Sequence, residues 1–166
     1  MAEGSTQPVP PEDLGEPHGP VDDRPRLVRF WLGGRELLVD VAAVREVLVP
    51  GPVTRLPGSA AAIAGVTSVR GRIVAVVDAS VALGAPGPAA HDRFLVVTTP
   101  DGPVALVVDR VDAVVAAALD AGPDPSAPLV VGTATVDGRP IPVIDPIALV
   151  HAAIAPTSAS TSAGAA

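Results

Sequence analysis

The chain has 166 residues, room for one good-sized domain or two very small ones. Its 11 basic residues are all arginine, and 18 acidic ones leave a formal charge of −7, which argues against nucleic acid as the main partner because phosphate binding begins with a basic surface. Without cysteine there is no disulfide or thiolate chemistry, without lysine no Schiff base or P-loop, and His18, His91 and His151 lie too far apart for a metal-ligand spacing, so neither metal nor cofactor is expected.

Residues 1–25 hold six prolines and six acidic residues among few large apolar side chains, too little apolar surface to offset the entropy of ordering, and are read as a disordered tail. The first 26 residues carry a charge of −4 and the rest −3. The start lacks the basic and apolar regions of a secretory signal, and no apolar run nears the roughly 20 residues of a membrane span, so a cytoplasmic protein without membrane insertion is expected. Residues 26–152 form the expected globular part. The chain's 28 valines favour strands, where a branched side chain packs on a pleated surface. Residues 153–166 are uncharged and read as a second flexible tail.

An internal repeat organises the globular part. Gly65-Val-Thr-Ser-Val-Arg-Gly-Arg-Ile-Val-Ala-Val-Val-Asp78 aligns without gaps on Gly132-Thr-Ala-Thr-Val-Asp-Gly-Arg-Pro-Ile-Pro-Val-Ile-Asp145, with six of fourteen positions identical at an offset of 67. The two units run over about 27–84 and 94–150, joined by a Pro-rich linker at 85–92 that contains His91.

In chain order, each unit reads as two hairpins separated by a Pro-rich loop. The hairpin turns are Gly33-Gly34, Arg70-Gly71, Asp101-Gly102 and Asp137-Gly138, since Gly-Gly and Asp-Gly tolerate positive φ. Trp31 alternates with Phe30 and Leu32 and is either an exposed contact or part of a seam between the units. After Asp40, the three-residue spacing of Val41, Val44 and Val47 beside Arg45 and Glu46 favours a helical turn packing its valines inward over a contact surface. Val111 and Val114, with Asp109 and Asp112, are its counterpart. Ile73–Val77 and Val104–Val108 are apolar throughout, as in strands covered on both faces. Short helical turns are expected after Asp40, Asp78 and Asp145, each an N-cap. The expected architecture is mainly β: two small barrels in tandem.

Two residue sets invite a chemical reading. Asp78 and Asp145 sit where paired carboxylates of an aspartic hydrolase would, but Ala79 and Pro146 follow them and no glycine closes either loop, so helix capping is favoured and no catalytic residue is assigned. Arg70 occupies a turn position that is Gly or Asp in the other three hairpins. Either a type II turn leaves it unstrained or it takes positive φ; in both cases a guanidinium suited to a carboxylate projects from a hairpin tip.

Leu56-Pro57 and Gly65–Asp78, the earlier Phe30-Trp-Leu-Gly-Gly-Arg-Glu-Leu-Leu-Val-Asp40 with Val44-Arg-Glu-Val47, and the later Val107–Val114 and Gly132–Leu149 together resemble the CheW family of chemotaxis coupling proteins, in the same order. The resemblance implies two tandem five-stranded SH3-like β-barrels with a few short helices. It implies a non-catalytic adaptor that couples the cytoplasmic tips of chemoreceptors to a sensor histidine kinase through the kinase's regulatory domain, and that is a monomer alone. It places partner contacts at Val41, Val44, Glu46, Val47, Gly65 and Arg70, with Val104, Val111 and Val114 from the second unit. Gly34, Gly71, Gly102 and Gly138 then serve as turns, and Asp78 and Asp145 as caps. Ser68, Ala75, Ala79, Ser80 and Leu37 depart from the family's usual Asn, Pro, Leu, Arg and aromatic; these changes spare the fold and bear on partner specificity. A stand-alone kinase-docking domain and a degenerate aspartic hydrolase are the alternatives.

Overall fold

A computed structural model describes residues 22–85, 87 and 92–155. The tail expected over 1–25 lies outside them except for Asp22–Pro25, as do His91 and residues 156–166.

Among the described residues, eleven strands make two sheets. In the first half they are β1 (Arg26–Leu32), β2 (Arg35–Asp40), β3 (Val44–Leu48), β4 (Ile63–Val69) and β5 (Arg72–Val77). In the second they are β6 (Arg93–Thr99), β7 (Gly102–Val108), β8 (Arg110–Ala116), β9 (Leu119–Ala121), β10 (Val130–Val136) and β11 (Arg139–Ile144). One helix, α1 (Pro146–Ile154), follows. It runs two residues past the domain end expected at 152, because Ala153 still packs against the core.

The sheet boundary does not follow the repeat boundary. One sheet has the order β8-β1-β2-β11-β10-β9, the other β3-β6-β7-β5-β4. Each takes the first hairpin of one repeat and the later strands of the other. The seams are parallel: Val143 registers with Leu38 between β11 and β2, and Ala75–Val77 with Val104–Leu106 between β5 and β7. The first seam is the thinner, because Pro140 and Pro142 have no N–H to give. The strand numbers are six and five, and the outermost strands of neither sheet pair with each other. The sixth strand, β9, has as its counterpart a single bridge, Thr54 to Val66, in the other sheet. Gly65 and Gly132 permit these crossings: a Cβ at either would stand 2.2 Å and 2.5 Å from the carbonyl oxygens of Thr54 and Ala121.

Three apolar clusters fill the molecule. Phe30, Leu32 and Val39 from one sheet meet Leu95, Leu106 and Val108 from the other, with Leu149 and Val150 of α1, in a central cluster. Each sheet also curls around a cluster of its own, and the two correspond at the repeat offset: Val69, Val74 and Val76 in one, Val136, Ile141 and Val143 in the other. Strand β7 therefore buries Ala105–Val108 on both faces, as its unbroken apolar run implies. The matching expectation fails at Ile73, which is 73% exposed because it stands opposite exposed Ser68 on the outer face of the β4–β5 hairpin.

The three strand-ending aspartates behave alike. Asp40 Oδ1 accepts from the Ala42 N–H and starts a 3-10 turn at Val41–Ala43. Asp78 Oδ1 accepts from both the N–H and the hydroxyl of Ser80, leading into a 3-10 turn at Val81–Leu83. Asp145 Oδ1 accepts from the N–H groups of Ile147 and Ala148 and caps α1. The helical turn after Asp40 stops at Ala43; Val44–Leu48 is strand, since three-residue valine spacing serves a twisted edge strand as well as a turn. The third hairpin turn lies on Pro100-Asp101, one residue before the expected Asp101-Gly102, because Thr99 pairs with Gly102 and Pro100 supplies the fixed φ of a first turn position.

The central cluster joins both sheets, so they should melt together. Leu106→Ala, at a fully buried position, should cost about 2–5 kcal/mol and leave one calorimetric transition. Two separate transitions would contradict a shared core.

Candidate functional site

The Arg70-Gly71 turn is built like those at Gly33-Gly34 and Asp137-Gly138, with both central residues at positive φ. Arg70 has φ +49°, so the type II alternative does not apply. A left-handed conformation costs an L-residue with a Cβ roughly 1–2 kcal/mol, and arginine has no short polar side chain to relieve it. The repeat equivalent, Asp137, is a residue type that tolerates the region.

This strained turn holds the guanidinium where one carboxylate can meet it. Arg70 Nε donates to Glu46 Oε2 at 2.9 Å, with the arginine side chain 77% exposed and the glutamate side chain 13% exposed. Glu46 stands on β3, an outermost strand of the five-stranded sheet, and Arg70 sits at the tip of the β4–β5 hairpin at the opposite outermost position. The ion pair thus spans the side of the sheet that backbone hydrogen bonds leave open. Two small cavities flank it: one of about 80 Å³, lined by Arg45, Arg70, Arg72 and Pro103, and one of about 270 Å³, lined by Leu48, Thr67 and Phe94.

The other expected contact positions fall into three groups. Val41, in the turn before β3, and Val47, next to Glu46 along β3, are exposed, and Val114 is exposed on β8, the equivalent outermost strand of the other sheet. Val44, Val104 and Val111 are partly buried and pack on the central cluster. Gly65 is buried under the Thr54 backbone, at the far end of β4 from Arg70. Glycine there serves the chain crossing, and no surface is left for a partner.

At the equivalent end of the six-stranded sheet the charges are arranged differently. Arg29 bonds Glu36 and Asp137, and Arg139 bonds Glu36. Burial works against the Arg29 charge, but the hydrogen bonds and charges of Glu36 and Asp137 outweigh it and hold its pKa above the ordinary arginine value. Trp31 belongs to this end and not to a seam: the Arg110 guanidinium stacks 3.7 Å from its ring centre and Arg29 lies 5.3 Å away. Asp78 and Asp145 do not face one another as a dyad; each carboxylate holds the start of its own helical turn, in a different sheet. Among the described residues, no three His, Asp or Glu side chains group as metal ligands, and no helix is long and apolar enough to cross a membrane.

Two features of the site escaped the sequence reading: exposed Ile73, and Arg45 and Arg72 as companions of Arg70. The signal for Ile73 was present in the hairpin register, since a two-residue turn at Arg70-Gly71 places it across from Ser68.

The family model for the CheW-like domain matches residues 26–153, which takes in every strand of both sheets and nearly all of α1. The chain belongs to the CheW-like domain family. Among curated relatives, the chemotaxis protein CheW of Rhizobium meliloti (strain 1021) is 34% identical over 87 residues, covering 51% of this chain and 56% of that protein. The probable chemotaxis protein CheW of Rhizobium etli is 32% identical over 87 residues with the same coverage. The chain therefore spans about half the length of the curated relatives it matches. The crystal structure of the scaffolding protein TtCheW from Thermoanaerobacter tengcongensis matches with a TM-score of 0.67 at 25% identity, over 76% of this chain and 92% of that one. This CheW-like chain shares the two-sheet fold of that scaffold.

Arg70→Asn removes the steric cost of the turn and an ion pair whose arginine end is exposed and whose glutamate end is largely covered, so gain and loss nearly offset and stability should stay within about 1 kcal/mol of the parent. Asp137→Arg, the reverse change in the other repeat, should lose about 1 kcal/mol. Chemical denaturation of both variants checks the pair; a clear loss in Arg70→Asn would show that the turn is not strained.

Proposed function

We propose that this chain is a non-catalytic adaptor that couples chemoreceptors to a sensor histidine kinase in chemotaxis or a related signalling pathway. The observation that carries the reading is the family match over 26–153, which covers the whole two-sheet domain together with the Arg70–Glu46 pair. The adaptor works in the cytoplasm, where receptor tips and kinase are found. The reading calls for no cofactor; the paired aspartates cap helical turns, and of the two cavities at the hairpin tip one is lined by three arginines with Glu46 and the other by residues that include Leu48, Thr67 and Phe94.

In this reading the docking surface is the outward side of β3 and the β4–β5 tip. Val41 and Val47 supply apolar area, Glu46 and Arg70 supply direction, and Val114 extends the surface onto the other sheet. Val44, Val104 and Val111 act from beneath, fixing those residues on the central cluster. Burying a few valines at up to roughly 1.5–3 kcal/mol each gives a modest, reversible affinity once the cost of association is subtracted. That suits a scaffold whose partners exchange. A strained arginine kept where Asp or Gly would be easier is the expected mark of a position held for contact rather than for stability.

Arg70→Glu should leave the circular dichroism spectrum unchanged yet lower co-sedimentation with receptor-tip fragments and kinase by about tenfold or more, since it sets two carboxylates against each other. Unchanged co-sedimentation would remove Arg70 from the docking surface. Retention of kinase by the wild-type chain without any receptor would mark it as a kinase-docking domain instead of a coupler.

A further inference from the structure

The two sheets end differently although the repeat offset relates them residue by residue. At the six-stranded sheet's end, Arg29, Arg110 and Arg139 meet two carboxylates, Glu36 and Asp137, and the Trp31 ring. At the five-stranded sheet's end, the positions equivalent to Glu36 and Asp137 are Pro103 and Arg70. Three arginines, Arg45, Arg70 and Arg72, therefore line one small cavity with a single carboxylate, Glu46, which Arg70 already engages. Among the described residues, Arg45 and Arg72 have no ion-pair partner. In a chain of charge −7 this is a concentration of positive charge with one carboxylate among its lining residues.

The balancing charge lies elsewhere in the same chain. The first 23 residues hold six carboxylates and no arginine, while all eleven arginines come from Arg24 onward. Asp22 is engaged by Arg24, whose hydrogen bond holds the Asp22 pKa below the ordinary aspartate value. Glu3, Glu12, Asp13 and Glu16 lie further out. From Arg26, where β1 begins, ten residues of chain to Glu16 reach up to about 35 Å. A domain of this size has a radius of gyration of about 14 Å, so either end of the molecule is within range. A tethered segment also binds at an effective concentration near millimolar, so a weak electrostatic contact is enough to occupy the site.

We propose that the acidic segment containing Glu12, Asp13 and Glu16 docks on the arginine cluster of Arg45, Arg70 and Arg72, and so competes with the partner for the Arg70 tip. The docking stands on charge and reach alone; its regulatory meaning rests on the adaptor reading above. Such a contact makes partner binding less steep in salt, because salt releases the competing tail as it weakens the partner, and gives the chain a self-shielded state from which an acidic partner surface displaces the tail.

The absence of cysteine makes the test direct. A nitroxide on Gly15→Cys in the full-length chain should cost the amide signals of Val69–Arg72 intensity at low salt, while those of Asp137–Arg139 at the equivalent turn keep theirs. The loss should vanish in about 1 M salt, where the Debye length is about 3 Å. It should also vanish in the full-length variant Glu12→Gln, Asp13→Asn, Glu16→Gln, whose partner affinity should rise about fivefold. Broadening centred on Arg29, Arg110 and Arg139, broadening that survives high salt, or no localised broadening would each overturn the docking. Docking with unchanged partner affinity in the neutral variant would overturn the competition alone. Because the labelling experiment contains no partner, its failure is distinct from failure of the adaptor reading.

Discussion

Exchange of the first hairpins holds this molecule together. The β1–β2 hairpin pairs with β8 and β11 on its two sides, and β6–β7 pairs with β3 and β5. Each half of the chain therefore lends the other the middle of its sheet. The central cluster follows from this, because Phe30, Leu32 and Val39 on one lent hairpin face Leu95, Leu106 and Val108 on the other. Asp109 adds a polar fastening at the crossing: its Oδ2 accepts from the Gly34 N–H at 2.8 Å, and its own N–H donates to the Trp31 carbonyl at 2.9 Å. Neither sheet could keep its lent hairpin if the halves parted.

The proposed docking face sits where the internal symmetry fails. The apolar clusters inside the two sheets match nearly position for position, as packing constraints on equivalent strands require. The sheet ends have no such constraint, and there Arg70 stands for Asp137, Pro103 for Glu36 and Glu46 for Ala113. One end sets two carboxylates and a stacked tryptophan against its three arginines, while the other presents three arginines around one carboxylate. Two like halves thereby present one distinguishable face, which suits the proposed binding of unlike partners at defined places.

Much of this was legible in the chain, and the unread parts have local causes. Two-residue turns are decided by adjacent residues, so the hairpins at Gly33-Gly34, Arg70-Gly71 and Asp137-Gly138 stand where they were expected. Which hairpin joins which sheet is a non-local choice. Both repeats carry the same pattern, and pairing within a repeat or across repeats satisfies that pattern equally, so the exchange had no signature in the sequence. The stretch after Asp40 was misread because valines three apart fit a helical turn as readily as the twisted strand that forms, and the third turn slipped because Pro100 outweighs the familiar Asp-Gly pair. At the site, Arg70 was legible as an outlier among turn residues; its partner Glu46 was not tied to it, because only the curl of the sheet brings β3 to the β4–β5 tip.

The hairpin exchange is most directly tested by cutting the chain between its repeats. Residues 22–87 and 92–155, produced separately, should each lack a dispersed amide spectrum and a cooperative melt, and an equimolar mixture should recover both. A half that folds alone, with its own melting transition, would contradict the exchange and with it the way the proposed docking face is held.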